Sequence, residues 1–384
     1  MSFKSGLLTI NLLGLVATVY SAVIDHTQPE LNANGPIGDL VFVHAFYRHG
    51  DRNPVLQGPG DHYDISYWPE GWGQLTNLGK RQQYELGQWF RRRYSHFLSS
   101  TFNVNDIYVR SSDVDRTLMS AQANLAGLYP PTGRLIWNED LNWQPIPIHS
   151  VPENMDYLIG GSVPPCVAYE NALNEYARSA EMLEFYGSVQ PFYEYVSEHA
   201  GAIVNDPTAL LMLRDSWFCQ SIHNLTLPEW TKPLFPNNPE FDNAAMKFYA
   251  MSAATKYLSK FRTGFLLKDI LDRFTRKAEK TLSPDAKMWM YSTHDSVLFS
   301  FLSSLDISDG NFVPYAAAII LELRIYHNHY YVQIFYKNSS TETPMPIRIP
   351  GCGNICPLSK MYDIYDDILP KNDFKTECQN IDEK

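Results

Sequence analysis

The chain has 384 residues, is 45% hydrophobic and carries a formal net charge of −11, which suffices for one or two packed domains. Its 24 Tyr, 20 Phe and 8 Trp residues exclude a largely disordered chain. The negative charge argues against a nucleic-acid-binding protein, because such proteins present clustered positive charge to phosphates.

The first 22 residues have the pattern of a secretory signal peptide. Lys4 precedes a mostly apolar run over residues 6–19, and small residues follow at Ser21 and Ala22. The alternative is an uncleaved membrane anchor, but the run is short and a polar residue interrupts it. No later stretch has about 18 consecutive apolar residues. We therefore expect a secretory-pathway protein, secreted or in the lysosomal lumen, without a transmembrane segment in the mature chain.

A short apolar strand followed by a basic turn is predicted over residues 40–54. Residues 40–47 are mostly apolar and β-prone, which is typical of a strand buried on both faces. Arg48, His49 and Arg52 come directly after it. Open α/β sheets bind ligands at the carboxyl ends of their strands. Arginine forks fit tetrahedral oxyanions, and a neutral imidazole between them can attack phosphorus.

Residues 48–54, Arg-His-Gly-Asp-Arg-Asn-Pro, resemble the Arg-His-Gly-x-Arg-x-Pro signature of the histidine acid phosphatases. The alternative for so short a pattern is a solvated basic turn without a function. Residues 71–76, Gly-Trp-Gly-Gln-Leu-Thr, resemble the same family again. Thr76 has the chemistry of an N-cap for the helix that follows. The three arginines at residues 91–93 are interpreted as the solvated end of this helix rather than as an anion site.

A second strand that ends in arginine is predicted at residues 106–110, before a helix over residues 114–128. Arg110 thus has the same placement as Arg48, at the carboxyl end of a strand. The alternative is that Arg110 forms an ion pair at the surface. Residues 110–117 resemble the second phosphate-binding segment of the family. Arg116 falls inside the predicted helix and is interpreted as structural.

Helical patterns replace the alternation of strands and helices between about residues 135 and 255. We interpret this interval as an inserted helical subdomain that covers the carboxyl edge of the sheet and shapes a pocket there. Residues 219–230 resemble a corresponding family segment. His223 in that segment lies beside a glycosylation sequon and is interpreted as local structure rather than as a ligand-binding residue.

A third strand is predicted at residues 287–293 and ends in His294 and Asp295, before another helix. Three predicted strands therefore deliver arginine, histidine and aspartate side chains to one edge of a sheet, which argues against unrelated surface residues. Residues 316–326 and 330–336 predict a hairpin at the margin of this sheet.

The predicted fold class is α/β, with a mostly parallel sheet flanked by helices and a smaller inserted α-helical subdomain. The resemblance implies the phosphoglycerate-mutase-like version of this fold. The catalytic domain would comprise residues 36–134 and 256–350, and the helical insertion residues 135–255. Residues 351–384 would form a polar C-terminal tail.

Five cysteines in a secreted chain allow at most two internal disulfides. Cys352 and Cys356 are close enough in sequence to staple a turn. The resemblance implies a second bridge from Cys166 to Cys378, which would tie the helical insertion to the tail.

Cys219 is expected to be free and buried, because the family would pair it with a cysteine where this chain has Ala318. Sequons at Asn224 and Asn338 fit a secreted glycoprotein.

The resemblance implies a phosphatase that hydrolyses phosphate monoesters in two steps, with the same roles that the residues suggest chemically. His49 would attack phosphorus and form a phosphohistidine. Asp295 would protonate the leaving alkoxide and then take a proton from water, which implies an acid optimum. Three arginines and a histidine would bind the phosphate: Arg48, Arg52, Arg110 and His294.

We expect no cofactor and no metal. The alternative is a dinuclear metal site built from His44, Asp51, His62, Asp64, His294 and Asp295. Three arginines around His49 would repel a divalent cation, which argues against that site.

Two rival functions come from other classes: a secreted, non-catalytic phosphate-binding protein and a phosphoglycerate-mutase-like transferase. Intact His49 and Asp295 argue against the first, and the predicted signal peptide argues against the second. A phytase is a further alternative among phosphatases. The expected partners are small-molecule or peptide phosphate monoesters, and the resemblance implies a homodimer.

Overall fold

The structure is a computed structural model that describes residues 37–340 and 342–379. The predicted signal peptide at residues 1–22 lies outside the described residues. The described residues all belong to one compact unit. No helix in this part of the chain is long and apolar enough to cross a membrane.

A seven-stranded sheet in the order β2-β3-β1-β4-β5-β6 forms the centre of this unit, with β7 paired to β5. The strands are β1 (Asp39–Arg48), β2 (Ile107–Ser111), β3 (Met288–Thr293), β4 (Ala318–Tyr326), β5 (His329–Lys337), β6 (Met345–Ile347) and β7 (Cys356–Pro357). Strands β2, β3 and β1 are parallel, whereas β4 pairs with β1 in the antiparallel direction and starts an antiparallel half. The α/β class with flanking helices is confirmed.

The helices that flank or follow this sheet are, in chain order, α1 (Asn77–Arg93), α2 (Asp115–Leu128), α3 (Val167–Tyr176), α4 (Ala180–Ala200), α5 (Pro207–Ile222), α6 (Pro239–Met251), α7 (Lys256–Ser259), α8 (Phe265–Ala278), α9 (Asp295–Ser304), α10 (Leu358–Ile364) and α11 (Phe374–Gln379). A π-helical turn at Lys260–Gly264 connects α7 to α8.

Strand β1 is buried on both faces, as its apolar sequence predicts. Phe42 and Phe46 face a cluster formed with α8, α9 and α10, whereas Val43 and Tyr47 face a cluster formed with α1 and α2. Side chains of a strand alternate between the two faces of a sheet, so each face of β1 anchors one layer of helices. The strand is therefore held rigidly up to its last residue.

Helices α1 and α2 cross in direct backbone contact, which fixes where α2 begins. A Cβ atom on Gly87 would lie 1.9 Å from the carbonyl oxygen of Asn124, and one on Gly127 would lie 2.1 Å from that of Tyr84. Only glycine at these two positions lets the backbones of α1 and α2 come this close, since any side chain would push the helices apart. The N-terminal turn of α2 is thereby set at the edge of the sheet.

Residues 135–255, all of which the structure describes, contain α3 to α6 and none of the seven strands. Helices α4, α5 and α6 share a hydrophobic cluster that includes Val196, Leu213, Trp217 and Phe241. The insertion boundaries at 135 and 255 stay a prediction, since this region belongs to the same compact unit as the sheet.

Both disulfides are confirmed. Cys166 is bonded to Cys378 and Cys352 to Cys356. The fifth cysteine, Cys219, is free and buried, as expected.

We predict that the two disulfides contribute unequally to stability, because they close loops of very different length. The pairs are 212 and 4 residues apart in sequence, so loop-closure entropy alone gives about 5 kcal/mol for the long loop and about 2 kcal/mol for the short one. Replacing Cys166 and Cys378 by alanine should therefore lower the urea midpoint much more than replacing Cys352 and Cys356. Equal shifts in the two double variants would contradict this account.

Candidate active site

Three parallel strands place their carboxyl ends at the same edge of the sheet. Arg48 of β1 lies opposite Thr293 of β3, and Ser111 of β2 lies opposite Ser292. The residue after each strand therefore reaches the same region, as the sequence predicts. The imidazole rings of His49 and His294 meet there with their centroids 5.8 Å apart.

His49 is held as a neutral imidazole with one defined tautomer. Its Nδ1 lies 2.8 Å from the carbonyl oxygen of Gly50, and because a carbonyl only accepts hydrogen bonds, Nδ1 carries the proton. The lone pair is then on Nε2. Burial, with the charges of Arg116, Arg48 and Arg52, lowers the pKa of His49 well below its usual value.

The turn that carries His49 rests directly on the start of α1. A Cβ atom on Gly50 would lie 2.2 Å from the carbonyl oxygen of Gly79, and one on Gly79 would lie 2.1 Å from that of Asp51. The side chain of Gln83 donates to the carbonyl oxygen of Arg48 over 2.8 Å. These backbone contacts require glycine at both positions and fix the direction of the imidazole.

Arg48 and Arg52 are buried arginines that pair with carboxylates. Arg48 lies 2.7 Å from Asp295 and stacks over Tyr315, while Arg52 makes two hydrogen bonds of 2.9 Å to Asp215. Burial alone lowers the pKa of a guanidinium, but in each case the carboxylate offsets it and the pKa lies above the ordinary value. Both remain fully charged.

Arg116, which the sequence pattern predicts to be a structural residue of a helix, lies in this cluster. It sits in the first turn of α2, and its Nη2 is 3.4 Å from Nδ1 of His294. No carboxylate pairs with it anywhere in residues 37–340 and 342–379, and burial lowers its pKa to about 10. Of the neighbouring cations, it acts most strongly on His49. Arg116 lies in the first turn of the helix that follows β2. This placement is the sequence signal that could have identified it.

Arg110 lies at the end of β2, as expected, but it is not among the arginines that act on His49, and its role in phosphate binding stays a prediction. Its Nη2 lies 2.5 Å from the buried carboxylate of Asp156, and its guanidinium lies over the ring of Tyr291. Arg110 belongs to β2 itself, so its side chain points to a face of the sheet. Asp156 also accepts hydrogen bonds from the backbone amides of Leu158 and Ile159. Arg110 therefore stabilises this loop.

His294 is the second imidazole of the site. Because the guanidinium of Arg116 can only donate to Nδ1, the proton of His294 lies on Nε2, which is 2.9 Å from Oγ of Ser112. Burial and the charge of Arg116 lower the pKa of His294 to about 3. His294 is therefore a neutral imidazole close to His49, with its N–H donating to Ser112 and its Nδ1 facing Arg116.

Asp295 is the first residue of α9. Its Oδ1 accepts a hydrogen bond of 2.8 Å from the backbone amide of Ser296 and one of 3.3 Å from the hydroxyl group of Tyr249. Burial alone raises the pKa of Asp295, but Arg48 and Arg52 overcome this effect and hold the pKa below its usual value. In the unliganded site Asp295 is thus an ionised partner of Arg48.

A cavity of about 160 Å³ opens onto these groups. Arg48 and Asp295 line it together with Arg214 and the apolar side chains of Phe218 and Phe312. A substrate that places an anionic group on the arginines would therefore place its remaining atoms against an apolar wall.

Asp51 connects the catalytic turn to the helical region. Its Oδ2 accepts hydrogen bonds from Thr76, the N-cap of α1, over 2.5 Å and from Nε2 of His223, just beyond α5, over 2.9 Å. The carboxylate of Asp51 raises the pKa of His223. His223 thus fastens the helical region to the turn that carries His49.

Of the residues considered for a metal, His44 lies within hydrogen-bond distance of Arg273, away from the site, and Asp51 faces Thr76 and His223. In the part of the chain that the structure describes, no group of three or more His, Cys, Asp or Glu side chains is arranged to hold a metal ion. The groups that converge on His49 are cationic or neutral donors, which fit a multivalent anion.

Comparisons with known proteins agree with this geometry. Residues 39–337 match the profile of the histidine phosphatase superfamily (branch 2). Lysosomal acid phosphatase of Xenopus laevis is 39% identical over 89% of this chain and 79% of its own. Prostatic acid phosphatase of Homo sapiens is 35% identical over 88% of each chain. The crystal structure of a phytase from Klebsiella sp ASR1 shares the fold, with a TM-score of 0.64 and 17% identity over 87% of this chain and 97% of that chain.

The contact between His223 and Asp51 predicts that stability depends on pH. A raised pKa in the folded state means that this contact stabilises the protein below the unfolded pKa of about 6.5 and that the contribution disappears as the pH rises through the folded pKa. Replacing His223 by Gln should cost about 1–2 kcal/mol of unfolding free energy near pH 5 and less near pH 8. Urea denaturation at the two pH values measures this difference.

The matched control is the replacement of His96, which is exposed, by Gln. This variant should show no pH-dependent loss. A loss in the His223 variant that grows with pH would contradict the prediction.

Proposed function

The chain belongs to the histidine phosphatase superfamily (branch 2), and we propose that it is an acid phosphatase that hydrolyses phosphate monoesters through a phosphohistidine on His49. Its relatives at 35–39% identity are named acid phosphatases. One observation carries the proposal: a buried, neutral His49 with a free Nε2 lies among three guanidinium groups. Phosphoryl transfer needs this combination of charge stabilisation and an in-line nucleophile.

The low pKa of His49 is what permits catalysis in acid. An ordinary imidazole with a pKa of about 6.5 is mostly protonated near pH 5 and cannot attack. Burial and the adjacent arginines keep His49 neutral there. Nδ1 keeps its proton, which it donates in a hydrogen bond to the Gly50 carbonyl oxygen. The Nε2 lone pair therefore attacks phosphorus, and a P–N bond forms as the P–O bond breaks.

Arg48, Arg52 and Arg116 hold the phosphate oxygens, and His294, whose N–H donates to Ser112 in the free site, turns this N–H to a phosphate oxygen when the anion binds. The Nε atoms of the three arginines are buried and have no hydrogen-bond partner in the described residues, so an incoming anion offers them acceptors. Arg116 takes the role that the sequence pattern predicts for Arg110. Stabilising the charge that develops on these oxygens is usually the largest catalytic contribution.

Substrate binding converts Asp295 from an ion-pair partner into an acid. In the free site Arg48 holds its pKa low. A bound phosphate shares Arg48 and places negative charge beside the carboxylate, and both effects raise the pKa of Asp295. Asp295 then protonates the departing oxygen. In the second step its carboxylate takes a proton from water, which attacks phosphorus and breaks the P–N bond.

The helical region at residues 135–255 supplies the outer wall of the site. Asp215 pairs with Arg52, Tyr249 contacts Asp295, and Phe218 lines the cavity. This arrangement supports the proposed role of the insertion in selecting among small-molecule or peptide phosphate monoesters.

The proposed location is the secretory pathway, in the extracellular space or the lysosomal lumen, after removal of residues 1–22. Two disulfides and relatives named lysosomal and prostatic acid phosphatases support it. Glycans are proposed at Asn224, which is exposed, and at Asn338, which is partly buried.

A homodimer is proposed as well. A loop near the outer strand β2 exposes four large apolar side chains close together in sequence: Ile136, Trp137, Leu141 and Trp143. Exposed aromatic and aliphatic residues that are clustered in this way are typical of protein interfaces.

The exchange of roles between Arg110 and Arg116 is directly testable. Replacing Arg116 by Gln should lower kcat/KM for phenyl phosphate by about 10²–10³-fold, the usual cost of one transition-state donor, with little change in Tm. Replacing Arg110 by Gln leaves the buried Asp156 unpaired, so Tm should fall while kcat/KM of the folded fraction stays within about tenfold. The opposite pattern would restore Arg110 as the phosphate ligand.

Substitutions at His49 and Asp295 should differ in their dependence on the leaving group. His49→Ala should abolish turnover of every monoester, because the phosphohistidine cannot form. Asp295→Asn should cost about 10²–10⁴-fold on alkyl phosphates, whose alkoxide leaves poorly without a proton. On a nitrophenyl ester, phosphoenzyme formation should be far less impaired, since a nitrophenolate is a stable anion.

Rapid-quench measurement of the phosphoenzyme burst with both substrates tests this difference. Equal impairment of the burst for alkyl and nitrophenyl esters would show that Asp295 is not the proton donor.

A further inference from the structure

A second cavity of about 210 Å³ lies beside the first, and Tyr249 lines both. Most of its wall is apolar, formed by Val163, Leu173, Phe248 and Met251 together with the ring of Tyr169. The charged residue in its wall is Arg262. We call this cavity the Arg262 pocket.

Arg262 is buried without an acidic partner. It is 5% exposed, and it donates to the carbonyl oxygens of Gly160 and Gly161 over 3.3 and 3.1 Å and to Oγ of Ser296 over 3.0 Å. No carboxylate forms an ion pair with it among the residues that the structure describes. This distinguishes it from Arg48, whose charge a carboxylate offsets.

A buried, unpaired guanidinium is costly to maintain. Burial lowers the pKa of Arg262, which is the direction expected for a cation without a close counter-charge. Neutral carbonyl and hydroxyl acceptors satisfy its hydrogen bonds, and Asp295 interacts with its charge only from beyond ion-pair distance. An anion that entered the pocket would therefore gain a direct ion pair that no carboxylate among residues 37–340 and 342–379 supplies.

The backbone that carries Arg262 is unusual as well. Arg262 is the middle residue of the π-helical turn Lys260–Gly264. A Cβ atom on Gly264 would lie 2.1 Å from the carbonyl oxygen of Ile368, so the turn is packed against neighbouring backbone. π-Helical turns are rare and occur frequently at functional sites, where the extra residue redirects a side chain.

The Arg262 pocket adjoins the proton donor. Ser296 accepts a hydrogen bond from Arg262, and its own amide donates to Asp295. On the other side, a Cβ atom on Gly161 would lie 3.5 Å from the ring of His294. The oxygen that leaves phosphorus is protonated by Asp295, so the group attached to this oxygen starts next to the pocket.

We propose that the Arg262 pocket binds the far end of the leaving group and selects phosphate monoesters whose alcohol has an apolar body and a second anionic group. The anionic group is a carboxylate, a sulfonate or a second phosphate. The apolar wall contacts the body of the alcohol, while Arg262 pairs with the anion. This inference rests on the phosphatase function proposed above and specifies the substrate class for it.

The alternative is that Arg262 only holds residues 160–161 in place over His294. In that case substitution of Arg262 would impair charged and uncharged substrates equally. A substrate-binding role predicts instead a loss confined to substrates with the second anionic group, so the ratio of two specificity constants separates the two roles.

The test uses two series of linear alkyl phosphates of increasing chain length, one ending in a sulfonate and one in a hydroxyl group. A sulfonate remains ionised at the acid pH of the assay. For the wild type, the ratio of kcat/KM between sulfonate and hydroxyl esters should reach about tenfold or more at one chain length, as one charge-assisted contact provides. In the Arg262→Met variant this ratio should fall to about one.

A second variant keeps Arg262 and its contacts with the loop. Phe248 lines the pocket and is 42% exposed, so Phe248→Glu places a negative charge at its rim and should reduce the ratio similarly. The matched control is Ile203→Glu, at a residue that is 85% exposed and not part of the pocket wall. This control should retain the wild-type ratio.

A wild-type ratio of kcat/KM between sulfonate and hydroxyl esters near one at every chain length would overturn the inference. A ratio that keeps its wild-type value in both Arg262→Met and Phe248→Glu would overturn it as well. In these outcomes the hydroxyl esters are still hydrolysed, so the phosphatase function stands. Failure of the wild type to hydrolyse any ester of either series, or phenyl phosphate, would instead overturn the proposed function together with this inference.

Discussion

The concentration of positive charge around one buried imidazole is the constraint on which the rest of the structure depends. Arg48, Arg52 and Arg116 all act on His49 and lower its pKa, and guanidinium groups this close repel one another. Carboxylates offset the first two, while the third lacks an acidic partner within the described residues. A phosphate supplies the missing negative charge. In the proposed mechanism, burial and the cations that attract the substrate together keep His49 unprotonated in acid.

The fold holds these charges together by rigid means. Strand β1 is buried on both faces and ends at Arg48. The following turn lies in backbone contact with α1 through Gly50 and Gly79. The helical region then closes the site from outside, where Asp215 holds Arg52. A preorganised site of this kind needs little rearrangement when charge develops on the phosphate.

In the proposed mechanism, the ion pair between Arg48 and Asp295 links substrate binding to acid catalysis. While the site is empty, Arg48 keeps the carboxylate ionised, which is the wrong state for a proton donor. The negative charge of a bound phosphate raises the pKa of Asp295 and so favours its protonation. Under this proposal, the substrate itself therefore prepares Asp295 to act as the proton donor. Tyr249 and Ser296 contact the same carboxylate and also line the Arg262 pocket, so the groups that hold the donor are also those that would contact the leaving group.

The sequence by itself determined the features that depend on local order along the chain. His49, His294 and Asp295 directly follow strands that are apolar enough to be recognised, and parallel strands must bring such residues to one edge. The sequence could not decide between Arg110 and Arg116, because the answer depends on the direction in which β2 and the first turn of α2 project their side chains. Likewise, Asp215 as the partner of Arg52 and the absence of an acidic partner for Arg262 within the described residues follow from packing between distant segments. Strand ends are local properties, whereas the counter-charge of a buried side chain is decided only when segments more than a hundred residues apart meet, as Arg52 and Asp215 do.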